Sequence, residues 1–310
     1  MPDNQKCPIL VCGATGRQGG AVARALMSKG WPVRALTRHP ESAQARRLQH
    51  EGAGLVRGDL GDPASLIRAM SGAYGVFGVT EFWEHGLHIE IQHGKNLIAA
   101  AEQANIKHLV FSSVGGTDRT AGLNISHFDS KRAIEETLRQ STIPWTILRP
   151  VTFLENFISH RFRNNIVTRG VLPFGITAEK PFQMIAMQDL AHFVALAFQQ
   201  AEAWQYRGTE LASDQFTLTE FAAALSEALQ RPVTYRYLPS LLQRLIAGYA
   251  ELTDNCGCYK IGKSLVTQFR WNNADPHGGW QADLSMLRAL HPDLLTLRDW
   301  IATVDWRRNL

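Results

Sequence analysis

The chain has 310 residues, 45% of them hydrophobic and 19% charged, enough to bury a sizeable core as one large or two modest domains. Its 32 basic and 28 acidic residues leave a formal net charge of +4, interspersed without a basic block or stripe, which argues against direct binding of nucleic acid. No run of about eighteen apolar residues is present, so no membrane helix is predicted.

Met1 to Lys6 lead straight into an apolar strand with no hydrophobic leader segment, and a cytoplasmic protein is therefore expected. That strand, Ile9-Leu10-Val11-Cys12, stops at Gly13-Ala14-Thr15-Gly16-Arg17-Gln18-Gly19-Gly20, and an alanine-rich helical pattern follows at once. The glycines at the three-residue spacing serve different ends. Gly13 allows a sharp exit from the strand, Gly16 allows close approach of a ligand to backbone, and Gly19 allows tight packing of helix on strand. The helix N-terminus leaves amides free and presents the positive end of its dipole, which suits a dinucleotide pyrophosphate. A turn that merely connects strand to helix is the alternative; the strand before it and the helix after it favour the ligand.

A second strand, Trp31 to Arg38, ends in a guanidinium where NAD-binding domains place an acid for the ribose hydroxyls. Arg38 therefore reads as a partner for a 2′-phosphate, with Arg17 as a second cation, and NADP(H) is expected in preference to NAD(H). A surface arginine at a strand end is the competing reading.

A helix from Glu41 to about His50, a strand Gly54 to Arg57 and the turn Gly58-Asp59-Leu60 follow. Asp59 is placed to accept from the adenine amino group while Leu60 covers the ring, whereas Asp62 before Pro63 is the better helix cap. The fourth strand, Tyr74 to Val79, runs into Thr80-Glu81-Phe82-Trp83, and a long amphipathic helix from about His85 to Gln103 carries Lys95. A fifth strand ends at Ser112-Ser113, where a dehydrogenase keeps a substrate-orienting serine, although such serines also satisfy local backbone. Pro144 to Pro150 makes a sixth strand.

Strands alternating with helices predict an α/β fold: a doubly wound parallel Rossmann sheet with ligands at the carboxyl ends of its strands. The alternation fades past Pro150. Residues 1–150 are read as the NADP-binding domain and 151–310 as a smaller α+β region, with a soft boundary and interleaved segments allowed for. In the second half Phe153 to Ile158 resembles a helix start, Phe174 to Ala186 is irregular or extended, Gln188 to Gln200 and Thr217 to Gln230 are helical, and Val233 to Tyr237 is a strand. Phe82, Trp83, Phe153 and Phe157 could line a pocket for a flat ring, with core packing as the other role for at least half of them. Of the four cysteines, Cys7 and Cys12 straddle the first strand and Cys256 and Cys258 form a Cys-Gly-Cys, spacings that do not suit a metal site, so none is expected. The segment Ala247 to Gly279 has no clear periodicity.

The glycine turn, Arg38, Gly58-Asp59, Val79 to Trp83 and His127-Phe128-Asp129-Ser130-Lys131 together resemble the NmrA-like group of atypical short-chain dehydrogenases, along nearly the whole chain. The resemblance implies an NADP-binding Rossmann domain whose cofactor contacts fall on Gly13, Ala14, Thr15, Gly16, Arg17, Gln18, Gly19, Arg38, Asp59, Leu60, Thr80, Glu81, Phe82, Lys95, Lys131, Phe153, Glu155 and Asn156. It departs from the group at Glu41, where further basic residues follow the arginine.

In ordinary short-chain dehydrogenases a Tyr-x-x-x-Lys pair lies one helical turn apart, the lysine lowering the tyrosine pKa and holding the nicotinamide ribose. Here Lys131 survives and His127 stands in the tyrosine position. A nucleotide-bound redox sensor, with a regulatory protein partner, is the first reading; an NADPH-dependent reductase of flat, electron-poor quinones, imines or dyes, with His127 or water supplying a proton, is the second. Either is compatible with a monomer or a homodimer. A DNA-binding repressor lacks a basic patch and a reading helix.

Overall fold

The computed structural model describes residues 7–240 and 258–307, with side chains described from residue 262 onward in the second stretch. Of the cysteine pair, Cys256 lies outside the described residues, as does 247–257 of the segment left unassigned above. Residues Cys258–Ala274 are helical.

The chain divides into two compact, interleaved units. The first comprises Met1–Val114, His127–Pro150 and Met187–Thr209. Its elements are β1 (Ile9–Val11), α1 (Arg17–Ser28), β2 (Val33–Thr37), α2 (Ala43–His50), β3 (Gly54–Arg57), α3 (Pro63–Met70), β4 (Gly75–Gly78), α4 (Phe82–Gln103), β5 (His108–Ser112), α5 (Ser126–Arg139) and β6 (Trp145–Pro150). Two helices and a strand from beyond Pro150 return to it: α7 (Met187–Gln199), α8 (Ala201–Trp204) and β10 (Arg207–Leu211) as far as Thr209.

The sheet has seven strands in the order β10-β6-β5-β4-β1-β2-β3, and the pairs from β3 through β6 are parallel. The order reverses beside β1, which puts a crevice at the carboxyl ends of β1 and β4. Strands covered on both faces read as unbroken apolar runs, and Ile9, Leu10 and Val11 are fully buried. Leu10, Val76, Leu109, Phe111 and Ile147 of the sheet pack with Leu66, Met70, Leu97, Ile98, Ile134 and Leu138 of the helices. On the other face α7 lies against α1, burying Leu190, Ala191, Phe193 and Val194.

Helix boundaries follow local chemistry. Ser42 caps α2, Asp62 accepts from the Ala64 and Ser65 amides with Pro63 at the first helical position of α3, and Glu81 accepts from Trp83 to open α4. Helix α4 starts at Phe82, three residues before the predicted start. Gly86, at φ 75° and ψ −179°, then breaks the path between the first turn and the rest, a conformation only glycine adopts readily.

The second unit comprises Gly115–Ser126, Val151–Ala186 and Glu210–Leu310. In it β9 (Phe182–Ile185) pairs in parallel with β7 (Thr152–Phe153) and antiparallel with β11 (Asp214–Phe216), while β8 (Val171–Phe174) pairs in parallel with β12 (Thr234–Tyr237). The stretch read as irregular or extended thus holds the strand β9, whereas the expected helix start at Phe153 is a strand end followed by a 3-10 helix, Leu154–Ile158. Strands of two to four residues are too short for periodicity to register. Helix α6 (His160–Arg169), α9 (Leu218–Leu229, with a Thr217–Glu220 capping box), the helices Cys258–Ala274, Leu284–Leu290 and Leu297–Thr303, and an aromatic core of Phe157, Phe174, Phe182, Phe221 and Trp300 belong to the unit.

Candidate functional site

The glycine turn is built as a cradle. A Cβ on Gly19 would stand 2.3 Å from the Gly13 carbonyl oxygen and 2.6 Å from that of Cys12, so α1 can lie this close to β1 only with glycine there. Gly13 has φ 62°, and the Gly16 amide closes the turn onto the Gly13 oxygen at 2.9 Å. No side chain caps the α1 N-terminus, and its first turn holds no acid. Thr15, Gly16 and Arg17 are exposed, Gln18 is half-buried and Ala14 is buried beneath them. Open amides and an uncompensated dipole at a concave turn fit a pyrophosphate.

The Gln18 side-chain amide donates to the Ser112 hydroxyl at 2.5 Å, tying this turn to the end of β5. Ser113 donates to Glu135, itself clamped by Arg149 at 2.7 Å and Arg139 at 2.8 Å. Burial pushes the Glu135 carboxyl up, but those guanidinium and hydroxyl contacts outweigh it and hold the group below its usual range. The two serines therefore have structural partners within this unit.

At the end of β2, Arg38 is half-exposed and reaches Glu84 in the first turn of α4 at 3.2 Å. Glu41, the acid singled out in the sequence, faces His39 at 3.2 Å instead, so the carboxylate that meets Arg38 is a different one. At the end of β3 the Asp59 carboxylate accepts from the Gly61 amide at 2.7 Å, and half-buried Leu60 packs on the core. Two α4 histidines, His85 and His93, pack edge to face. Burial and then the like charge of His85 hold His93 below the ordinary imidazole value.

At the end of β4 the structure assembles a buried network around Lys131. Its ammonium donates to the Thr80 carbonyl at 3.0 Å and the Thr80 hydroxyl at 2.8 Å, and pairs with Glu90 at 2.9 Å. Thr80 in turn donates to Glu90 at 2.8 Å, and Ser130 donates to the other Glu90 oxygen. All three ammonium protons are thereby engaged. Glu90 is fully buried; desolvation pushes its carboxyl up, yet Lys131 and the two hydroxyls outweigh it and the net displacement is downward. Gly94, one turn after Glu90, makes this possible: a Cβ there would stand 2.5 Å from Ile134, so α4 approaches α5 closely enough for Glu90 to reach Ser130 and Lys131.

His127, one turn before Lys131, is buried among Trp83, Phe82 and Phe128, with ring centroids 4.8, 5.7 and 4.7 Å away. Glu81 is the exposed cap of α4, and Lys95 is exposed on α4 outside these networks. Phe153, Glu155 and Asn156 belong to the second unit, where the Trp300 indole donates to Glu155 at 3.2 Å. Sequence reasoning missed Glu84, Glu90 and His93. Glu90 carried a signal, since it falls on the apolar stripe Glu90, Gly94, Leu97, Ile98, Ala101, where a charge requires a buried partner. Among the described residues no cluster of three or more His, Cys, Asp or Glu could hold a metal, and no helix is long and apolar enough to cross a membrane.

Fold and turn define a Rossmann-type α/β protein. A model of the NmrA-like family matches residues 5–279, and the chain belongs to that family. It is similar to an NAD(P)H azoreductase of Xenophilus azovorans, 30% identical over 73% of this chain and 76% of that one. It is similar also to a (4-alkanoyl-5-oxo-2,5-dihydrofuran-3-yl)methyl phosphate reductase of Streptomyces griseus, 32% identical over 74% and 77%. A Cladobotryum NmrA-like oxidoreductase is 37% identical, but the match spans about half the length of each chain, 49% and 48%. In structure the chain resembles the NADPH complex of a quinone oxidoreductase from Escherichia coli, with a TM-score of 0.74, 24% identity and coverage of 95% and 99%. NmrA, a negative transcriptional regulator in complex with NADP, gives a TM-score of 0.76, 19% identity and coverage of 97% and 99%.

Proposed function

We propose that the protein binds NADP(H) and reduces a flat, electron-poor acceptor by direct hydride transfer. The observation that carries this reading is the pair at positions 127 and 131: an imidazole walled by aromatic rings where a dehydrogenase has a phenol, and an ammonium whose protons are already engaged by Thr80 and Glu90. Neither position offers a phenolate to take a proton from an alcohol, whereas quinones, imines and dyes need little proton help. The two reductases that match three quarters of the chain support the same direction.

Bound NADPH would supply the hydride. Around it the chain's own residues divide the work. Gly13 to Gly19 cradle the pyrophosphate at the N-terminus of α1, which no side chain caps. Arg38 reads the 2′-phosphate, and Asp59 and Leu60 meet the adenine. Lys131 acts by fixing the Thr80 to Phe82 turn. Glu81 and Lys95 complete the proposed contact set within the first unit.

The second reading is the redox sensor with a protein partner, with which the missing phenol is compatible but which the reductase relatives do not support. NADPH consumption with a panel of quinones, imines, azo dyes and triarylmethane dyes, read at the reduced nicotinamide band, decides between them. Turnover of one acceptor class is the expected result. Tight NADPH binding without turnover would transfer the case to the sensor, and efficient oxidation of simple alcohols would overturn both. Replacing Arg38 with Gln is expected to weaken NADPH much more than NADH; equal loss would remove Arg38 as the phosphate reader.

A further inference from the structure

We infer that Glu84 sets the nucleotide preference of this site, as an internal competitor for the cation that a 2′-phosphate would take. The inference rests on the reading of Arg38 given above and assigns a role to a residue outside the predicted contact set.

Both terminal nitrogens of Arg38 point at one oxygen of Glu84, at 3.3 and 3.2 Å. The guanidinium fork is thus directed at a carboxylate in the way it would be directed at a phosphate. A ligand phosphate taking this edge of the guanidinium meets like-charge repulsion from the Glu84 carboxylate, so binding there displaces Glu84. NADH carries no group that competes, and its binding leaves the pair intact.

Two features make displacement easy. The pair is half-exposed on both sides, at 50% and 51% of side-chain surface, where ion pairs are weak and water replaces them readily. Glu84 also sits on a single turn, Phe82 to His85, cut off from the remainder of α4 by the backbone break at Gly86. A Cβ built on Gly86 would meet nothing within 4 Å, so the break itself faces open space. The other Glu84 oxygen already lies 3.7 Å from His85, a second place for the carboxylate to rest. The other nearby acids do not take this part: Glu41 is turned to His39, and Asp59 is held by the Gly61 amide.

The opposite role for Glu84 would be to hold Arg38 in position for the phosphate, and the two predict opposite signs. Titration of the unaltered protein and of Glu84→Gln with NADPH and with NADH separates them. Competition predicts that Glu84→Gln tightens NADPH by roughly threefold to tenfold and leaves NADH unchanged. The gain should vanish in Arg38→Gln/Glu84→Gln, which has no fork to liberate. An unchanged NADPH-to-NADH ratio, or weaker NADPH binding in Glu84→Gln, overturns the inference while the cofactor reading stands. No NADPH binding by the unaltered protein overturns the cofactor reading and this inference with it.

Discussion

Arg38, just past β2, and Lys131, on α5, are both cations expected at the nucleotide, and each is met by a glutamate from α4. There the likeness ends. Arg38 and Glu84 meet in water, on a turn that a glycine separates from its helix. Lys131 and Glu90 meet in the interior, with Thr80 and Ser130 supplying the remaining hydrogen bonds. An exposed pair is worth well under what a ligand can offer and is free to be exchanged. A buried one is held by the penalty for leaving either charge alone, so it serves as scaffold.

The contrast is broken most severely at Glu90. Glu90→Ala should strand a buried ammonium and lower unfolding free energy by about 3–5 kcal/mol, read from the urea midpoint. Glu90→Gln/Lys131→Met, which removes both charges, should be less damaging than Glu90→Ala; equal or greater loss would show that the pair contributes favourably beyond mutual compensation.

A second buried titratable group tests the interior without mutation. His108 is fully buried, shares one hydrogen bond with Thr146 at 2.8 Å, and burial pushes its imidazole down to about 4. Because its folded value lies below its unfolded value of 6.5, the unfolded chain binds the proton first as pH falls. Stability should therefore fall between about pH 6.5 and 4, by about 3 kcal/mol in total from this residue. His108→Gln should flatten that part of the denaturation profile; an unaltered slope would assign it to other groups.

The smallest effect belongs to the surface. Glu84→Ala should change stability by less than about 1 kcal/mol, with any change fading as salt is added. A loss as large as that at Glu90 would mean that the Phe82 to His85 turn is part of the rigid core, and the contrast between the two pairs would collapse.

The nucleotide turn was legible because its requirements are local. A strand, three glycines and a helix start follow one another without interruption from Ile9 to Gly20, and the steric demand at Gly19 concerns the carbonyls of Gly13 and Cys12, close by in the chain. The alternation of strands and helices through Pro150, the cap at Asp62, the guanidinium at Arg38 and the histidine in place of tyrosine at 127 were equally within reach of sequence. Which charges meet was not. Helix α4 runs from Phe82 to Gln103, and its rotation and its approach to α5, set by Gly94 against Ile134, decide that Glu90 turns inward to Lys131. The break at Gly86 places Glu84 on its own turn, where it meets Arg38 while Glu41 turns to His39. The return of α7 and β10 to the first unit belongs to the same class of fact. Glycine spacing and helix caps are enforced by neighbours along the chain, whereas ion-pair partners far apart in sequence, such as Arg38 with Glu84 and Lys131 with Glu90, are chosen by packing, which exists only once the chain has folded.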